Sequence, residues 1–158
     1  MSKKNCPFKD ENEAKRYFQH LFGKAGIFSF LVESGFGGSQ GVPDLFMGMG
    51  GYGILPIEFK RGTIVRSTDG TRDLKLDGVQ PGQVRYHVEA AKYAQYTKIV
   101  TLIDPGPNSE FNMQSFICTH GEVIVDWRTG ITSLDWLWHM PVAAITPEIV
   151  RELLLKGT

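Results

Sequence analysis

Cysteine is almost missing from this 158-residue chain. Cys6 and Cys118 stand alone, with no CxxC and no Cys/His pair at zinc-ligand spacing. That excludes a disulfide scaffold and a zinc finger, and it predicts a reduced, cytoplasmic protein. His20, His87, His120 and His139 are scattered and read as surface or structural residues. No apolar run is long enough to span a bilayer, and the first seven residues have no apolar signal-peptide core. G-x-S-x-G and H-E-x-x-H are absent, and the glycine-rich stretch 35–41 lacks the Gly-Lys-Ser/Thr of a phosphate-binding loop. Gly48-Met49-Gly50-Gly51-Tyr52-Gly53 spells the dinucleotide pattern, but a strand-like run containing Pro56 follows it where a helix is required. Net charge is also missing, with 17 Lys/Arg against 17 Asp/Glu.

What is present is an ordinary apolar content of 42% and a length that predicts one domain over 1–158. Residues 8–23 read as an amphipathic helix whose stripe is Ala14, Tyr17, Phe18, Leu21 and Phe22. Residues 27–32 read as a buried strand, with the aromatics at 17, 18, 22, 28 and 30 expected in the core. Strands are expected at about 42–48 and 54–60, and the glycines between them suit a reversal. A polar, basic insertion covers 61–80. Within it, 63–76 read as two short strands about the turn Asp69-Gly70. Pro81 opens a helix to about Tyr96, and 98–104 form a strand ended by a turn at 105–108. Further strands are expected near 114–119 and 122–127, then a helix over 147–155 with Thr146 as N-cap. Trp127, Trp136 and Trp138 make an aromatic tail that covers the sheet, forms a subunit interface or stacks on bases. The expectation is an α/β domain, a mixed central sheet flanked by helices with its core at about 8–104.

The chemistry concentrates in Gly41-Val42-Pro43-Asp44 and, fourteen residues after Asp44, Glu58 within Ile57-Glu58-Phe59-Lys60. Glu58 and Lys60 are i and i+2 on a strand, so they leave one face. A reversal centred on Gly51 sets Asp44 opposite Glu58, with Cβ atoms roughly 5 Å apart. Two carboxylates that close repel, and a divalent cation between them compensates. Charge is also uneven: residues 1–104 hold 14 Lys/Arg against 11 Asp/Glu, and 105–158 hold 3 against 6. A basic face backed by an acidic part is compatible with phosphate binding.

With a helix-opening Gln80-Pro81-Gly82-Gln83 after them, these motifs resemble the PD-(D/E)xK nuclease superfamily. The likeness is greatest to VRR-NUC-type and phage nucleases related to Holliday-junction resolvases, and it covers about 8–104. The resemblance implies a restriction-endonuclease-like αβββαβ core and a metal-dependent endonuclease acting on DNA, with branched DNA as substrate. It implies a homodimer in a bacterial or phage setting. Asp44 and Glu58 would ligate Mg²⁺ or Mn²⁺, Lys60 would orient the attacking water or stabilise phosphate charge, and Gln83 would position Lys60 or the water. Glu11 would complete the metal site, or it is a first-turn acid favoured by the helix dipole. Arg61, Arg66, Arg72 and Lys75 would meet DNA phosphates, or they line a solvated hairpin. The other readings are a nicking or restriction-like nuclease, a non-catalytic nucleic-acid-binding module and a structural virion protein.

Overall fold

The computed structural model describes residues 8, 10–32, 41–49, 53–106, 110–111 and 113–155. The glycine-rich residues 35–40, the centre of the reversal at 50–52, the turn residues 107 and 108, and Cys6 lie outside them.

Helix α1 (Glu11–Lys24) starts at Asp10, whose carboxylate accepts the Glu13 N–H at 3.0 Å. Acidic residues in its first turn and Lys24 in its last suit the helix dipole. Ala14, Phe18, Leu21 and Phe22 are buried along one stripe, as the 3.6-residue period requires. The sheet comprises β1 (Phe28–Leu31), β2 (Leu45–Met49), β3 (Gly53–Arg66), β4 (Arg72–Leu76), β5 (Lys98–Ile103), β6 (Ser115–His120), β7 (Ile131–Thr132) and β8 (Trp136–Pro141). Its main order is β1-β2-β3-β5-β6-β8, with β4 on β3 and β7 on β4. Among the described residues only β3 and β5 pair in parallel, and helix α2 (Pro81–Lys92) lies on the crossover between them. Helix α3 (Pro147–Leu155) closes the fold, and Thr146 Oγ1 accepts the Ile149 N–H at 3.2 Å, the expected cap. The protein is therefore a mixed α/β domain.

Four expectations need correction. The strand at 54–60 and the first hairpin strand are one continuous β3, paired to β4 from Gly62↔Leu76 to Arg66↔Arg72. Its turn is as read: Gly70 N–H donates to Ser67 O, and Asp69 accepts the Thr71 N–H at 2.9 Å. Helix α2 stops at Lys92 because Ala94 turns to φ +55° and Gln95 N–H returns to Ala90 O. Residues 122–127 are not a strand, since Gly121–Asp126 form a 3₁₀ helix packed on α2. Phe28 and Phe30 are 69% and 42% exposed, because β1 is the edge strand and they face away from the covered side.

Two cores result. On the α1 side, Phe18, Phe22, Leu45, Met47, Ile57, Phe59, Val100, Leu102 and Phe116 are buried together. On the α2 side, Leu74, Leu76, Val79, Ile99, Ile103, Ile117, Ile124 and Ile131 form a smaller aliphatic group. The tryptophans divide between them: Trp127 and Trp136 pack on the α2 side and Trp138 on the α1 side. They cover the sheet.

Candidate active site

The β2–β3 ladder runs from Leu45↔Ile57 to Met49↔Gly53. Continued by one residue, this register sets Asp44 against Glu58, as a reversal centred on residue 51 requires. Asp44 does more than face its partner. Its Oδ2 accepts the Phe59 N–H at 2.9 Å, and Lys15 Nζ from α1 lies 3.0 Å from its Oδ1.

Why Asp44 can reach a strand N–H follows from the pairing of β3. β2 leaves β3 at Ile57, and β4 joins it only at Gly62. Arg61 N–H is taken by Glu11 Oε1 at 3.1 Å, and Arg61 C=O accepts the Asp77 N–H just beyond β4. N–H and C=O of one strand residue point to the same edge, and Phe59 is two residues earlier on it. A gap between β2 and β4 thus exposes two β3 donors, and the carboxylates of Asp44 and Glu11 cap them.

Glu58 and Lys60 point to the other side, beneath α2. Glu58 is 1% exposed and Lys60 6%. Lys60 Nζ lies 3.3 Å from Glu58 Oε1 and donates to Gly78 O at 3.2 Å. Gln83 Nε2 donates to Glu58 Oε1 at 2.7 Å, while Gln83 Oε1 accepts the Gln80 N–H at 2.9 Å. Both ends of that amide are engaged, so Gln83 holds the Glu58 carboxylate rather than Lys60. Glu58 Oε2 is buried and accepts no hydrogen bond among the described residues, with the Asp44 carboxylate as its neighbour. Burial, and then the charge of Asp44, push the Glu58 carboxyl up to about 8 against the opposing pull of Lys60.

The approach of Asp44 to α2 depends on glycine at 41. Gly41 has φ +92°, and a Cβ there would lie 2.5 Å from the carbonyl carbon and oxygen of Gly82. The segment carrying Asp44 and the first turn of the helix carrying Gln83 are in backbone contact.

Two residues near this site were given no part in it by the sequence, although His87 was read as surface or structural. One is Lys15, four residues after Glu11 and so on the same helix face. The other is His87, four after Gln83 on α2. His87 is fully buried, its Nδ1 lies 2.8 Å from Thr97 Oγ1, and burial and then Lys60 lower its pKa to about 4. The i,i+4 spacing from a named residue was the available signal in each case.

Of the other expected residues, Glu11 stays on the Arg61 N–H. No group of three His, Cys, Asp or Glu side chains at metal-binding distances forms among the described residues. The basic residues are largely engaged. Arg61 pairs with Asp104, Arg66 with Glu110 at 2.8 Å, and Arg72 lies 3.8 Å from Glu110 and over the Trp136 ring. Lys75 is exposed, with no ion-pair partner among the described residues. None of the described helices is long and apolar enough to cross a membrane.

No protein-family profile matches the chain, and no curated protein does. Among solved structures, it is similar to Hjc, a Holliday junction resolvase from the archaeal hyperthermophile Archaeoglobus fulgidus. The identity is 15% and the TM-score 0.46, over 86% of this chain and 96% of that one. A likeness this distant carries no argument about activity, which must come from the side chains.

Proposed function

We propose that this protein is a divalent-metal-dependent endonuclease that hydrolyses DNA phosphodiester bonds, with branched DNA as its substrate. The observation that carries the reading is Glu58: a buried carboxyl facing Asp44, with one oxygen held by Lys60 and Gln83 and the other orphaned. A packed core gains nothing from such a group, because an unpaired buried oxygen costs free energy. The residues fit Mg²⁺ or Mn²⁺, which take oxygen ligands and whose charge would oppose the burial and the Asp44 repulsion that raise Glu58. Asp44 and Glu58 would hold the ion, and Glu11 would join them only by leaving the Arg61 N–H. When bound, the ion supplies a water of lowered pKa and a Lewis-acid charge at the phosphate.

The chain's own residues do the rest. The Phe59 N–H and the β2–β3 register fix Asp44. Gln83 selects the orientation of Glu58 and leaves Oε2 free. Lys60 brings an ammonium to the same face, where it stabilises charge developing on the phosphate. Arg61, Arg66, Arg72 and Lys75 are the proposed phosphate contacts on the DNA, the three arginines exchanging carboxylate partners for it. The reading includes a homodimer acting on a symmetric substrate in a bacterial or phage-infected cytoplasm.

Cleavage of labelled single strand, duplex, flap, splayed arm and four-way junction, with Mg²⁺, Mn²⁺ or EDTA, tests it. Lys60→Ala and Glu58→Gln proteins run in parallel. Symmetric metal-dependent cuts in the junction, lost in both variants, are expected. Cutting of every form removes the branched-substrate assignment and leaves a nicking or restriction-like enzyme. Binding without cutting in either metal makes the protein a non-catalytic module. Neither binding nor cutting leaves a structural protein.

A further inference from the structure

The ion pair at Asp44 points beyond the residues so far given roles. Lys15 arrives from α1, a different element from those carrying Asp44, Glu58 and Lys60, and its ammonium lies 3.0 Å from Asp44 Oδ1. The other Asp44 oxygen is occupied by the Phe59 N–H. The oxygen that Lys15 holds is therefore the one not tied to the backbone, and a cation that took it would leave the anchor of Asp44 to β3 intact. Lys15 and Asp44 are only 17% and 22% exposed, so water and salt screen the pair poorly. The lysine sits one turn after Glu11, whose carboxylate caps the next free donor of the same β3 edge. The first turns of α1 thus present an acid and a base side by side along the gap between β2 and β4.

We propose that Lys15 is an internal counter-cation which occupies the place of the divalent ion at Asp44, is displaced when that ion binds, and is thereby freed to meet the substrate phosphate. Lys15 is a positioning residue: in the metal-free protein it keeps Asp44 aimed at the gap, and it sets how tightly the ion is held. The inference rests on the metal-dependent reading above.

The test is Mn²⁺ binding by electron paramagnetic resonance and calorimetry on the intact protein without DNA, comparing the parent with Lys15→Met, Lys15→Arg and Asp44→Asn. Removing the competing ammonium should tighten Mn²⁺ binding roughly five- to tenfold in Lys15→Met. Lys15→Arg should stay near the parent, and Asp44→Asn should lose the site. Thermal unfolding gives a second readout: Lys15→Met should be less stable than the parent in EDTA, with the deficit closing in saturating Mn²⁺. Lys15→Met that binds Mn²⁺ as the parent does, or more weakly, overturns the counter-cation role and leaves the nuclease reading standing. A parent and a Lys15→Met protein that both bind no Mn²⁺ overturn the two together. Binding in Lys15→Met alone is the strongest support, since it shows the lysine blocking the site.

Discussion

The two faces of the sheet are built from different materials. The α1 face is mainly aromatic and apolar, with Lys98 as a buried exception at its edge: Phe18 packs edge-on to Phe22, Phe59 and Phe116 with ring centroids 4.7–5.9 Å apart. The α2 face carries buried Glu58, Lys60, His87, Thr97, Thr101 and Thr119. Oxygens of Glu58, Thr101 and Thr119 there have no hydrogen-bond partner. Adjacent residues of one strand alternate between the two: Phe59 lies between Glu58 and Lys60 and points the other way. Close-packed rings on one side supply the stability that allows unpaired polar groups on the other.

The sharpest way to break this contrast is to cut into the aromatic face. Phe18→Ala should cost about 3–5 kcal/mol in urea unfolding while leaving the Asp44, Glu58 and Lys60 geometry in the surviving folded fraction. The same change in stability with a loss of metal binding per folded molecule would show that the faces are not separable.

Next in size is the pH dependence contributed by Glu58. Its folded pKa of about 8 lies above the ordinary 4.5. The unfolded chain therefore releases that proton first as pH rises, and the native state loses stability across pH 4.5 to 8. The full effect is on the order of 5 kcal/mol in EDTA. Glu58→Gln should flatten this limb, and thermal unfolding at a series of pH values across that window measures it. His87 works in the opposite direction, its folded pKa of about 4 lying below 6.5, so its contribution is lost on acidification from 6.5 toward 4. A Glu58→Gln slope unchanged from the parent would mean that Glu58 is ionised in the metal-free protein.

The smallest expected effect lies outside both faces, on the hairpin. Arg66→Ala should change stability by under about 1 kcal/mol, since its pair with Glu110 is exposed. It should nonetheless make the salt dependence of DNA binding shallower, by roughly one unit of slope for each phosphate that Arg66 neutralises. An unchanged slope would show that Arg66 serves Glu110 alone.

The part of this arrangement that could be read in the chain was the part set by local rules. Asp44 opposite Glu58 needed only a turn centre, and Glu58 beside Lys60 needed only the period of a strand. Helix α1 announced itself by its apolar period, though its start at the Asp10 cap was read three residues early, and α3 by its Thr146 cap. What could not be read depended on partners distant in sequence. Lys15 meets Asp44 only because α1 packs against β1 and β3, where Glu11 also reaches the Arg61 N–H. Glu11 meets a backbone N–H that is free only because β2 ends before β4 begins. The run Glu122-Val123-Ile124-Val125 has a strand's composition. Yet Gly121 is locked to Thr97 O and packed against His87 and Thr97, so the chain coils there. The outward turn of Phe28 and Phe30 needed the knowledge that β1 is last in its sheet.

The contact of Gly41 with Gly82 also separates two things that mutagenesis of ionisable residues confounds, namely which groups are present and how far apart they stand. A single methyl at position 41 would be a wedge. It adds no charge and removes none, yet it cannot fit against the Gly82 carbonyl without parting the two segments that carry Asp44 and Gln83. A Gly41→Ala protein would hold every acid, base and amide of the parent at altered spacing, a control in which the inventory is complete and only the assembly is missing.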